Sequence, residues 1–277
     1  MLGVKGLLSR LRPNNIEGQP VITAAGEKSL HEEKLEHYFS TLQMPADLAG
    51  LDRPVCIMVF TNRSGSNVLA EYLRASHRFT GFVESLNFRR VLKYAEQYQF
   101  SEFHEYLQWQ VSGLAAEGKI IGIKASVEQA IMLYRCGAIP HYFSNIHWLM
   151  VQRNDVLSQA ISFSIAAQSK QWTSDQAAAP REVIYNFDDI TGRVKQLSAA
   201  YSRMNEFFAL NDIRPQRVIY EDFISDPKQH VRQIAATMGL TDLEFDEALL
   251  KLSAQRDARN GDFRERFIED YGRSRQA

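Results

Sequence analysis

The chain has 277 residues, of which 45% are hydrophobic and 23% charged, and its formal net charge is −1. That length provides ample core for one large α/β domain or two small ones. The even charge balance argues against a protein that grips the phosphate backbone of a nucleic acid. Two cysteines, Cys56 and Cys136, stand far apart in a chain without a secretory signal, which predicts buried, reduced thiols. The opening "MLGVKGLLSRLRP" is interrupted by Lys5 and is too short for a signal core or a membrane span. No later run is long and apolar enough to cross a bilayer, so the expectation is a soluble, cytoplasmic protein.

Residues 1–50 read as a polar, partly irregular extension with a short helix around "SLHEEKLEHYFSTL", and 51–277 as one domain. From Pro54 the pattern changes. "PVCIMVF" (54–60) suits a strand buried on both faces. It runs into "TNRSGSN", after which Val68, Leu69, Tyr72 and Leu73 recur at helical spacing. "FTGFVE" (79–84) is a short extended piece, followed by two helical patterns through about Gly118. "KIIGIKAS" (119–126) and "IHWLMVQR" (146–153) read as the second and third buried strands. Residues 154–169 follow as a helix, with Val156, Ala160, Phe163 and Ala167 on one stripe and Asn154 or Asp155 as its cap.

Residues 173–186 lack periodicity and contain Pro180, which predicts a loop. A long amphipathic helix follows, carrying Val194, Leu197, Tyr201, Met204 and Phe208 on one side. "QRVIYED" (216–222) is a fourth strand. In "SDPKQHVRQIAATMGL", Asp226 is the helix cap, Pro227 opens the first turn and Gly239 is the stop. Strands alternating with helices predict an α/β fold: a central parallel sheet flanked by helices, with ligands at the carboxyl ends of the strands.

"VFTNRSGSN" (59–67) sits at such an end. A strand, a Gly/Ser turn and a helix start point backbone N–H groups at an anion. The nucleotide P-loop pattern G-x-x-x-x-G-K-[ST] is broken, because no Gly lies at the required spacing and no Lys-Ser/Thr follows. The nucleophile elbow G-x-S-x-G is absent as well. Taken alone, Ser64-Gly65-Ser66 reads equally well as a simple helix cap. No His/Cys cluster has metal-ligand spacing, and His77, His104, His141 and His147 read as structural or surface residues.

Four segments in order resemble the bacterial sulfotransferase family that includes trehalose 2-sulfotransferase, over roughly residues 54–267. They are "FTNRSGSNVLAEYL", "GFVES", "VQRNDVLSQAISF" and "RVIYEDFISDP". Asn62 and Asn67 stand where the family has Pro and Thr. Ser85-Leu86 replace an aromatic pair that borders the acceptor side. The resemblance implies a P-loop NTPase-like sulfotransferase fold, 3′-phosphoadenosine 5′-phosphosulfate as donor, no metal, and a hydroxyl acceptor on a sugar, glycolipid or similar small molecule. A homodimer is an expectation from the resemblance alone. A kinase-like P-loop enzyme and a catalytically inactive relative that binds nucleotide or a protein partner remain the alternatives.

The resemblance assigns roles residue by residue. Arg63 would reach the bridging and phosphate oxygens with its fork of donors. The amides of Ser64, Gly65, Ser66 and Asn67 would hold the 5′-phosphate, with the serine hydroxyls assisting. Arg153 with Ser162 would grip the 3′-phosphate, Arg153 reaching back along the helix that follows it. Glu84 would take the acceptor proton, and burial beside Phe82 and Leu86 would raise its pKa. Lys124 stands as an even choice between steadying the sulfonyl oxygens and pairing with an acid. Arg256 and Arg259 are secondary donor-site candidates. The aromatic residues Phe88, Tyr94, Tyr98, Phe100, Phe103, Tyr106 and Trp109 read mainly as core. Some of them, with Trp172, would line an acceptor pocket that the 173–186 loop closes.

Overall fold

The computed structural model describes residues 28–172, 182–251 and 258–274. Within them, five parallel strands form one sheet. The central strand β1 (Val55–Phe60) is buried at Val55 through Val59, because its odd and even side chains face two different helical layers. In chain order the other strands are β2 (Phe79–Val83), β3 (Ile120–Ala125), β4 (Ile146–Gln152) and β5 (Gln216–Ile219). The spatial order is β2-β3-β1-β4-β5, and every pairing is parallel. The order departs from β1 in both directions, which opens a crevice beyond its carboxyl end.

Helices α1 (Leu30–Tyr38), α3 (Phe88–Tyr98), α4 (Phe103–Leu114), α5 (Val127–Arg135) and α7 (Phe187–Leu210) contribute to the core cluster that contains Val55, Ile57 and Val59. Cys56 and Met58 belong to a second cluster with Leu69 and Leu73 of α2 (Ser66–Ala75) and Val231 and Ile234 of α9 (Pro227–Thr237). Leu69 and Leu73 are fully buried; each contributes about 1.5–3 kcal/mol relative to exposure. A third cluster joins Ile161 of α6 (Val156–Ser169), Leu197 of α7, and Phe263 and Phe267 of α10 (Ala258–Ser274). Cys56 and Cys136 are both free and buried.

Several expected details change. "FTGFV" is a full edge strand, so the sheet has one strand more than the four read from the sequence. The expected fourth strand stops at Ile219, and Tyr220–Phe223 turns into the one-turn helix α8. The cause is local: Ile224 N donates to Tyr220 O at 2.9 Å, and Ser225 Oγ to Asp222 O at 2.6 Å. The helix read over 154–169 runs from Val156 to Ser169, and of its two candidate caps Asp155 is the one used, accepting from Ser158 N. Gly239, with φ +72°, ends α9 as expected: Leu240 N reaches Ala235 O and Gly239 N reaches Ala236 O, both at 3.0 Å.

The described part of the extension folds onto the body. Ser29 caps α1, and Leu35, Phe39 and Leu42 enter the first core cluster. Glu32, 3% exposed, is paired to Arg135 Nη1 at 2.6 Å. At one edge of the sheet, β2 bulges between Gly81 and Val83, with Phe82 at φ +53°. The Phe82 ring then lies flat on Gly122 of β3, where a Cβ would come within 2.4 Å of it. The bulge re-aims the end of β2 toward the crevice.

Candidate functional site

A cleft of about 900 Å³ opens beyond the carboxyl edge of the sheet, and each strand sends it one chemically distinctive side chain. Glu84 follows β2, Lys124 lies near the end of β3, and Arg63 follows β1. Arg153 follows β4, and Tyr220 follows β5. Among the described residues, six cationic side chains and two carboxylates line the cleft, so it suits a polyanion.

The turn after β1 is built for close approach. Gly65 is the N-cap of α2 at φ +87°, and no side chain caps that helix. First-turn amides have no partner within a helix, so those at the start of α2 suit an outside acceptor. Gly65, Ser66 and Asn67 line the cleft. Ser64 differs from expectation. Its N–H is directed to Thr61 O at 3.3 Å, and its hydroxyl is fully buried without a hydrogen-bond partner among the described residues. It shapes the turn from inside.

Below Gly65 lies the Tyr220 ring, and a Cβ on Gly65 would meet Tyr220 Cδ2 at 2.2 Å. Gly65→Ala therefore meets two penalties. The left-handed backbone costs a residue with a Cβ about 1–2 kcal/mol, and overpacking adds about 1–3 kcal/mol. We expect a loss of about 2–5 kcal/mol in urea denaturation, together with weakened anion binding.

Arg63 and Arg153 face the same cleft. Arg63 Nε donates to Ser162 Oγ at 3.0 Å, and Nη1 donates to the Trp172 carbonyl. Burial, and then the charge of Arg153, lower the Arg63 pKa from its ordinary value. The two guanidiniums thus repel across a space that an anion would relieve. Ser162 is in the cleft as expected, but its recorded partner is Arg63. Arg153 turns instead to the Tyr220 ring, 4.5 Å from its centroid, and to Glu221 Oε1 at 3.5 Å. Glu221 also accepts from the amides of Asn154 (3.1 Å) and Asp155 (3.3 Å), which fixes the turn between β4 and α6.

Behind these groups runs a buried polar chain. Arg153 N donates to Tyr201 Oη at 3.0 Å, and Tyr201 Oη donates to Gln159 Oε1 at 2.8 Å. Gln159 Nε2 then donates to Thr61 Oγ1 at 2.9 Å and Asn62 O at 2.7 Å. Fully paired and buried, Gln159 ties the β1 turn to the β4 turn.

The opposite wall holds Glu84. Tyr106 Oη donates to Ser85 O at 2.6 Å, and Gln129 Nε2 donates to Leu86 O at 3.0 Å, so the loop carrying Glu84 is held from below. Ser85 and Leu86 are themselves buried; the cleft-facing residues of this loop are Glu84, Asn87 and Phe88. The expected burial of Glu84 is not observed. Its side chain is 49% exposed, because the bulged end of β2 carries it to the rim. Its neighbour is Lys124 Nζ at 3.6 Å. Lys124 is 1% exposed, donates to Asn67 Oδ1 and lies 4.5 Å from the Phe60 ring centroid. Burial pulls its pKa down to about 8, with Glu84 acting in the opposite direction.

Sequence reasoning left Lys124 undecided and missed His31, Tyr220 and Glu221 as site residues. A lysine near the end of an apolar strand, and "YED" after another, were the available signals. His31 had none, since its contact with Phe88 spans 57 positions. Tyr94, Tyr98, Phe100 and Trp109 pack on one another against the first core cluster; Phe88 and Trp172 line the cleft. Arg259 is exposed on α10, while Arg256 and residues 173–181 lie outside the described residues. Among the described residues, no group of three His/Cys/Asp/Glu is placed to hold a metal, and no helix is long and apolar enough to cross a membrane.

Residues 133–270, about half of the chain, match the family model described as Stf0 sulphotransferase. The match includes Arg153, Ser162 and Tyr220 and excludes Arg63 and Glu84. Two solved structures are similar at 16% identity. One is the sulfotransferase domain from the Synechococcus PCC 7002 olefin synthase, with a TM-score of 0.43, covering 76% of this chain and 80% of that one. The other is a sulfotransferase from Alicyclobacillus acidocaldarius, with a TM-score of 0.42, covering 80% of this chain and 94% of that one. No curated protein matches the chain.

Proposed function

The chain is an Stf0-type sulfotransferase, and from that premise we propose that it moves a sulfuryl group from 3′-phosphoadenosine 5′-phosphosulfate to a hydroxyl of a sugar, glycolipid or similar small molecule. The observation that carries this reading is one cleft holding an uncapped, glycine-started helix and two guanidiniums on one side, and a carboxylate on the other.

In this reading the Gly65, Ser66 and Asn67 amides hold the 5′-phosphate and Arg153 holds the 3′-phosphate. Arg63 stabilises charge on the oxygen that leaves sulfur. Glu84 accepts the proton of the acceptor hydroxyl as that oxygen bonds to sulfur and the bond from sulfur to the phosphate oxygen breaks. Lys124, paired with Glu84 and Asn67, orients both sides. As in phosphoryl transfer, the work is positioning and electrostatics.

Calorimetry with adenosine 3′,5′-bisphosphate, set against ATP with Mg²⁺, tests the donor. The bisphosphate is expected to bind and ATP with Mg²⁺ to bind far more weakly; the reverse order would favour a kinase-like enzyme. Lys124 adds a pH signature. Below about 8 it is charged and favours an anion; above about 8 it loses its proton. Bisphosphate affinity is therefore expected to fall between pH 7 and pH 9, and Lys124→Met to flatten that fall. Labelled sulfuryl transfer into a panel of sugars and lipids separates an active enzyme from a nucleotide-binding relative.

A further inference from the structure

The acceptor side of the cleft contains a side chain with no role so far. His31 sits on α1, yet it lines the cleft together with Glu84, Asn87 and Phe88. Its Nδ1 lies 3.2 Å from Phe88 N and 3.4 Å from Gln129 Nε2. A backbone N–H can only donate. The Gln129 amide is oriented by its other bonds: Oε1 accepts from Ser126 N at 2.9 Å, and Nε2 donates to Leu86 O at 3.0 Å. Both neighbours of Nδ1 are therefore donors, so Nδ1 carries the lone pair and the proton of the neutral ring belongs on Nε2.

The ring is also held in place. Phe88 meets it edge-on with centroids 5.3 Å apart, and Leu35 of the same helix is fully buried. Burial lowers the His31 pKa from the usual histidine value, against the opposing charges of Glu128 and Glu84, which agrees with a neutral ring. With Nδ1 engaged on the protein side, Nε2–H is the polar group His31 has left to offer a ligand.

We propose that His31 donates its Nε2–H to the acceptor, at a second oxygen of the molecule whose hydroxyl Glu84 deprotonates. A fixed donor lining the same part of the cleft as that carboxylate gives the acceptor a second oxygen to engage, which favours a polyhydroxylated acceptor over an isolated alcohol. The helix α1 then completes the acceptor half of the site. This inference rests on the transferase reading above and adds an acceptor-binding residue to it.

The test uses [¹⁵N]histidine-labelled full-length protein saturated with adenosine 3′,5′-bisphosphate. Long-range ¹H–¹⁵N spectra are expected to show His31 as the Nε2–H tautomer, with its resonance moved by at least one of glucose, trehalose and myo-inositol. His31→Asn keeps an oxygen near the Nδ1 position for the Phe88 amide and removes the Nε2 donor. For a sulfated sugar it is expected to raise KM about tenfold, the size of one neutral hydrogen bond, with kcat and bisphosphate Kd within about twofold. His31→Gln restores a donor near the Nε2 position and is expected to recover part of that loss.

An Nδ1–H tautomer, an unchanged KM in His31→Asn, or a His31 resonance that no sugar moves overturns the inference. The two readings fail separately. A sugar that moves His31 without being sulfated counts against the transferase reading, whereas sulfation that ignores His31→Asn counts against this one.

Discussion

Replacing Arg63 by alanine is expected to lower turnover by about 10²–10³-fold, the scale seen when one preorganised donor to a developing charge is removed. Arg63 is partly desolvated and faces Arg153, so its charge acts in a medium that screens poorly. The fold should tolerate the change. Two of the partners of Arg63 are Ser162, which is half-buried, and the carbonyl of the exposed Trp172, and water can serve both. The backbone at residue 63 has φ +60°; arginine already bears that strain, and alanine adds none. Arg63→Lys keeps the charge but loses the planar fork, so it should recover only part of the rate. The measurement is kcat at saturating donor and acceptor, with thermal unfolding as the control for folding. Turnover within about threefold of wild type would remove Arg63 from the chemistry, since no donor of this kind is worth so little.

Glu84→Gln is expected to lower kcat by about 10²–10⁴-fold, the range for loss of a positioned general base. The amide keeps the shape of the side chain and cannot take a proton. Lys124 loses a carboxylate at 3.6 Å but keeps Asn67, so the turn after β1 should hold. Adenosine 3′,5′-bisphosphate should bind Glu84→Gln much as it binds the wild type. A split of that kind, with binding kept and transfer lost, is what distinguishes a base from a structural carboxylate. Unchanged kcat at saturating substrates would place the base elsewhere.

The legible parts of this fold are those in which local sequence and tertiary role agree. β1, β3 and β4 are short apolar runs buried on both faces, and each is followed at once by a polar turn. That pattern alone places Arg63, Lys124 and Arg153 at strand ends. β5 was read too long because Val218, Ile219 and Tyr220 all favour strands, while the bend at Tyr220 depends on turn bonds that propensity does not contain. The exposure of Glu84 was misjudged for a similar reason. The Phe82 ring is taken up by Gly122 on the neighbouring strand, and the carboxylate follows the bulge outward. Ser162 was expected to share the 3′-phosphate with Arg153; the sequence does not show that its hydroxyl accepts from Arg63, 99 positions away. His31 was illegible, since nothing near it in sequence marks it as part of a cleft.

Tyr220 has a wider consequence. The Tyr220 ring lies against both the glycine turn after the central strand and the guanidinium after its neighbour, so its bulk bears on how far apart those two grips stand. For the proposed donor, discrimination between nucleotides with one phosphate arm and two is then a matter of spacing, metered by the shortest strand of the sheet. A smaller side chain at that position would let the grips drift together, and selectivity would loosen without any cation being touched.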